Sequence, residues 1–146
     1  MIYGFCITGL EAYLSDAFAK RVMSDHNLKK KYLLSAQSLK EQKISLSQIY
    51  EMFEKIDDVI KKEISDTTFH NLGRVKGLFK EVLNVDIGDI SNLVTYIYKR
   101  HDFVHRGGKD TQGKEVTTTE REVEDLMKAV EDFCAAIDAQ IFLSDR

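Results

Sequence analysis

Arg100 and His105 stand five positions apart in the stretch Tyr98-Lys99-Arg100-His101-Asp102-Phe103-Val104-His105-Arg106-Gly107-Gly108, where a helical pattern runs into a glycine turn. A guanidinium holds a phosphate in a planar fork, and an imidazole titrates near neutral pH. Together they supply two of the groups that phosphodiester cleavage requires. Arg-x4-His taken alone is a short pattern, structural more often than catalytic. Lys99, Arg106 and Lys109 make the neighbourhood locally basic, outnumbering Asp102 and Asp110 together with Arg100. Lysines at a helix end also have an ordinary role, meeting the negative end of the helix dipole, and Asp102 reads as the ion-pair partner of Arg106 four residues on. His101 and His105 are spaced to share one metal on a helix, but no glutamate follows His101 and no third ligand stands out, so neither a metal nor a cofactor is expected.

Helices must carry these groups. Phe5, Leu10, Tyr13, Leu14, Ala17, Phe18 and Val22 recur at steps of three and four, predicting a first helix that ends around Ser24 to Asn27. Leu28 to Glu41 reads as a shorter helix or helical connector. Ser45 or Ser47 can cap the next helix, in which Ile49, Met52, Phe53, Ile56, Val59, Ile60 and Ile64 share a face. Asp66-Thr67-Thr68 offers caps for another, through Leu72, Val75, Leu78, Phe79, Val82 and Leu83 to Asn84. Gly73 and Gly77 lie four apart there, a spacing that permits close helix approach but more simply weakens the helix.

Ile90, Leu93, Val94, Ile97 and Tyr98 then carry a helix to Arg100, which places the motif at a helix end. Phe103 and Val104 read as core anchors. Gly107-Gly108 and Thr111-Gln112-Gly113 supply turn chemistry, Thr119-Glu120-Arg121-Glu122 has the form of a capping box, and Val123 to Ile141 gives the most amphipathic helix of the chain. On a regular helix, residues five apart point about 140° away from each other. For Arg100 and His105 to face one phosphate, the helix must unwind between them or a twofold dimer must bring two sets into one cleft.

Composition agrees with an all-α fold. The 146 residues suit one domain, 1–146, with 43% apolar residues for its core; there is no proline, and strand signals are poor. The formal net charge of −3 excludes a protein that coats nucleic acid by bulk electrostatics and leaves only a local basic site. Cys6 and Cys134 read as buried free thiols of a reducing compartment. Glu11 interrupts the first apolar run before membrane-spanning length, and no secretory start precedes it, so a cytoplasmic location is expected. The uncapped start at Met1-Ile2-Tyr3 is the pattern of a domain cut from a longer chain. Lys29-Lys30-Lys31 reads as a solvated face, and His26 and His70 as surface or cap residues.

The arginine, the polar residue after it, the apolar pair Phe103-Val104, the histidine and the following Arg-Gly-Gly-Lys resemble the HEPN domains (higher eukaryotes and prokaryotes nucleotide-binding). The resemblance implies a HEPN-like bundle of about five helices, with the motif at a helix end, a glycine-rich loop and a long last helix. In HEPN ribonucleases the implied chemistry is metal-independent, with the RNA 2′-hydroxyl as nucleophile and a cyclic phosphate left on the 5′ product. Carried over, His105 is the general acid/base, Arg100 binds the phosphate, His101 supports them, and Lys99, Arg106 and Lys109 bind substrate. The two sets meet in a homodimer cleft. Some HEPN toxins paired with a nucleotidyltransferase antitoxin carry a tyrosine two positions after the histidine. Gly107 stands there, so the resemblance does not extend to that partnership.

Two readings of function follow. The first is an RNA endonuclease of a microbial toxin or antiviral defence system, restrained by an antitoxin or sensor of its own. The second is a non-catalytic dimerisation or nucleotide- or RNA-binding module of a larger effector, favoured by the acidic net charge. A plain helical bundle whose basic cluster caps a helix explains the composition but leaves the histidine pair without a role.

Overall fold

The computed structural model describes residues 2–144, so the start at Met1 lies outside the described residues. Among these it is all helix, with no strand beyond an isolated bridge between Lys109 and Glu115. The helices are α1 (Ile2–Met23), α2 (His26–Ser35), α3 (Gln37–Lys40), α4 (Ile49–Asp66), α5 (Leu72–Leu78), α6 (Ser91–His105) and α7 (Glu120–Ser144).

Steps of three and four bring Tyr3, Ile7, Leu10, Leu14, Phe18 and Val22 onto one side of α1, and all six are buried. α1 packs against α2, α4, α6 and α7 and is therefore the axis of the bundle. Phe18 is the aromatic hub, its ring 5.4 Å from Phe79, 5.6 Å from Tyr32 and 6.3 Å from Phe69. A smaller cluster of Tyr3, Ile7 and Leu126 closes the end of the bundle near the motif.

Local signals explain most boundaries. The connector at 28–41 resolves into α2 and α3, divided where Ala36 turns extended, and the Asp25 carboxylate caps α2 by accepting from the Asn27 N–H. α5 is capped by Asn71, whose Oδ1 accepts from the Arg74 N–H, and not by the Asp66-Thr67-Thr68 run. Its continuation widens into a π turn at Phe79–Leu83 and stops at Asn84 in the left-handed conformation, φ 55°. Neither serine expected to cap α4 does so with its side chain: Ser45 opens a 3₁₀ turn, Leu46–Gln48, that leads into the helix. The capping box of α7 is present, the Thr119 hydroxyl accepting from the Glu122 N–H at 3.2 Å.

Two expectations of burial are corrected. The apolar face of α4 is not all core: Ile60 and Ile64 are buried against the bundle, whereas Phe53 is 70% exposed because the first half of the helix runs past it. Cys6 and Cys134 are free but half-buried. At Gly77 an added Cβ would meet nothing within 4 Å, so no helix packs closely there and the permitted close approach is not used. No helix of the described residues is long and apolar enough to cross a membrane.

Because Phe18 is fully buried among three aromatic rings, Phe18→Ala should cost about 3–5 kcal/mol. Urea unfolding followed by circular dichroism would check this as a lower midpoint at unchanged slope.

Candidate active site

The motif helix is built before its functional face. The Asp89 carboxylate accepts from the Ser91 N–H at 2.9 Å and the Ser91 hydroxyl at 2.6 Å, and these bonds hold its carboxyl below the usual range, so the charged form opens α6. Leu93 is buried, and Tyr96 and Phe103 pack inward. The Tyr3 hydroxyl of α1 donates to the Tyr96 carbonyl at 2.9 Å, and the Tyr3 ring meets Phe103 edge-on at 5.8 Å. Burial, then the neighbouring Tyr96, pushes the Tyr3 hydroxyl well above the ordinary phenol range, so it stays a donor.

α6 does not stop at Arg100 but continues through His105, and no unwinding separates the two residues. Gly107 and Gly108, at φ 60° and 81°, turn the chain only after the motif, and the Gly108 N–H returns to the Asp102 carbonyl. With α6 regular, Ile97, Arg100, His101, Val104 and His105 lie along one outward face, with Arg100 and His105 at its edges. Val104 is 59% exposed, so it belongs to this face and not to the core as its apolar type led us to expect.

These five residues and His70 line one cavity of about 210 Å³. The His101 and His105 rings lie 4.5 Å apart between centroids. Arg100 Nη1 donates to Glu11 Oε1 of α1 at 3.0 Å, an ion pair that is about a quarter exposed. Glu11 engages one guanidinium nitrogen, which leaves donors on the others for a phosphate. Among the described residues no three His, Cys, Asp or Glu side chains are arranged to hold a metal. A larger cavity of about 510 Å³, near Tyr32, Glu63 and Arg74, lies away from the motif.

The cavity brings together Arg100, His101 and His105 and leaves Lys99, Arg106 and Lys109 outside. Lys99 is turned about 100° from Arg100 by the helix and pairs with Glu122 at the start of α7. That bond with Lys99, then the Thr118 hydroxyl, holds the Glu122 carboxyl below its ordinary value. Arg106 pairs with Asp102 at 3.2 Å, the four-residue pair the spacing predicts. Lys109 is exposed in the loop. Sequence reasoning missed Glu11 and His70. Glu11 had one signal, an acid inside an apolar run, while nothing local distinguishes His70 in the turn before α5.

A model of the RiboL-PSP-HEPN family matches residues 5–142, from the first turns of α1 through most of α7. The chain belongs to the HEPN family. HEPN domains are often ribonucleases, and they commonly dimerise and bind RNA. The match spans both Glu11 on α1 and the arginine-histidine motif on α6, the two parts of the HEPN fold that the ion pair joins. No curated protein and no solved structure matches the chain.

Glu11 and Arg100 should be coupled in stability by about 0.5–1 kcal/mol, the range of partly exposed ion pairs. A double-mutant cycle of Glu11→Ala and Arg100→Ala in urea would measure it, and strict additivity would mean that α1 does not hold the arginine.

Proposed function

We propose that this HEPN domain is a metal-independent RNA endonuclease of a microbial toxin or antiviral defence system. The observation that carries the reading is the convergence of Arg100, His101 and His105 on one cavity whose other side is His70. In this mechanism the RNA 2′-hydroxyl attacks the adjacent phosphorus and His105 takes its proton. The bond to the 5′ oxygen breaks, that oxygen takes a proton, and a 2′,3′-cyclic phosphate remains on the 5′ product. His101, its ring beside that of His105, supports the proton movement, and the Arg100 fork binds the phosphate as negative charge builds in the transition state. Glu11 holds Arg100 in place, and Lys99, Arg106 and Lys109 form a basic rim for the strand to either side.

The reading includes a twofold dimer of two copies of this single-domain chain. Val104 lies between the arginine and the histidines on the same face and remains exposed, an apolar surface that a second copy covers. A second reading, a non-catalytic dimerisation or nucleotide- or RNA-binding module of a larger effector, is favoured by Glu11, which offsets the charge of Arg100 before any substrate arrives. Control by an antitoxin or an activator fits either reading.

Incubated with a mixed RNA pool in chelator, the protein should leave cyclic phosphate ends, and Arg100→Ala and His105→Ala should each lower the rate by at least about a hundredfold. Intact RNA throughout would favour the binding module. Light scattering should give twice the 16.8 kDa chain mass, and Val104→Arg should halve it, because a charge would then be buried at the twofold contact; a monomer at every concentration would remove the shared cleft.

A further inference from the structure

The cavity of the motif does not end at His70. His70 and Ile97 also line a second hollow of about 420 Å³, walled by Ile90 just before α6, by Val94 and Tyr98 on it, and by Asn71, Leu72 and Gly73 at the start of α5. Ile90, Val94, Ile97, His101 and His105 follow one another at steps of four, three, four and four. They therefore form a single stripe about 22 Å long from the residue before α6 to its end, and the two hollows, which share His70 and Ile97, adjoin along it as a trough.

Its two ends differ in chemistry. The far end holds the arginine and histidines that would meet a phosphate. The near end is floored by Ile90, Val94 and Ile97, which suit the face of an aromatic ring and repel a charged backbone. Tyr98 stands at its edge, 69% exposed, a phenol ring with no aromatic neighbour among the described residues. Gly73 keeps the opposite wall bare, since even an added Cβ would meet nothing nearer than Asn71 Oδ1 at 3.7 Å. Asn71 lines this hollow, and its oxygen is engaged by the Arg74 N–H, which leaves the NH₂ as the side chain's remaining donor group. Those donors have no partner among the described residues, and a base edge offers acceptors.

We propose that this trough is the subsite for the nucleoside beside the cleaved phosphodiester of single-stranded RNA, with its base stacked on Tyr98 and its edge read by Asn71. The inference rests on the ribonuclease reading for its orientation, with the phosphate at Arg100. It requires an unpaired strand, because a base in a duplex shows neither its face nor its full edge. His70, shared by both hollows, marks the step from base to phosphate.

The test uses the intact protein and two labelled eight-nucleotide strands: a 2′-fluoro RNA of randomised sequence, which has no nucleophilic hydroxyl and stays uncut, and an abasic strand of the same length. Tyr98→Ala should weaken binding of the base-bearing strand about tenfold and leave the abasic strand unchanged, while Tyr98→Phe binds both as the unaltered protein does. Asn71→Ser, which keeps an oxygen to cap α5 and removes the NH₂ donors without adding charge, should weaken the base-bearing strand selectively as well. Equal binding by Tyr98→Ala and the unaltered protein overturns the subsite, as does an equal loss on both strands, or no binding of either. The catalytic reading is judged separately, by cutting of ordinary RNA and its loss in His105→Ala. Cutting with unaltered Tyr98→Ala affinity removes the subsite alone, and base-selective loss in a protein that cuts nothing removes the catalyst alone.

Discussion

Burial of one side of α1 is the constraint on which the rest of the molecule depends. Its six buried residues face four other helices at once, so each partner's position is set by the same apolar stripe. α6 is placed by this stripe and by polar groups beside it. Tyr3 holds the Tyr96 carbonyl and the Phe103 ring at one level, and Glu11 holds the Arg100 guanidinium about two turns further along. The motif helix is therefore oriented by α1, not by the loop that follows it. A loss of core packing at Phe18 and a loss of the Glu11 pair would reach the same face by different routes.

The regularity of α6 gives the site its character. An unwound segment would have let the arginine and histidine collapse toward each other. A continuous helix keeps them at opposite edges of an outward face, with His101 and Val104 between, and it is side-chain length that returns both to one cavity. Such a face is open on its outer side. That openness suits a large polymeric ligand more than a buried metabolite, and it suits a second copy of the chain closing the cleft.

Electrostatics at this face are local. The chain carries −3 overall, and several of its cations near the motif already have carboxylate partners: Glu122 for Lys99, Asp102 for Arg106 and Glu11 for Arg100. An anionic strand would have to compete with these carboxylates or share their cations. The arrangement differs from a basic patch, since attraction is concentrated where the guanidinium keeps free donors, and contacts to bases become worth more relative to contacts to the backbone.

Much of this was legible in the residues themselves. Periodicity located the helices, the capping box marked the start of α7, the paired glycines marked the turn after the motif, and Arg-x4-His with its neighbours pointed to the HEPN family, because each of these signals is local and acts within a turn or two of helix. The sequence by itself determined an all-helical chain with Arg100, His101 and His105 on one segment. Only the tertiary structure decided that Glu11, 89 positions away, pairs with that arginine, that His70 completes the cavity, and that the first half of α4 and Val104 stay outside the core. Those outcomes depend on which faces of separate helices meet, and an apolar residue at a helical step carries the same local signal whether the surface opposite it is another helix or water.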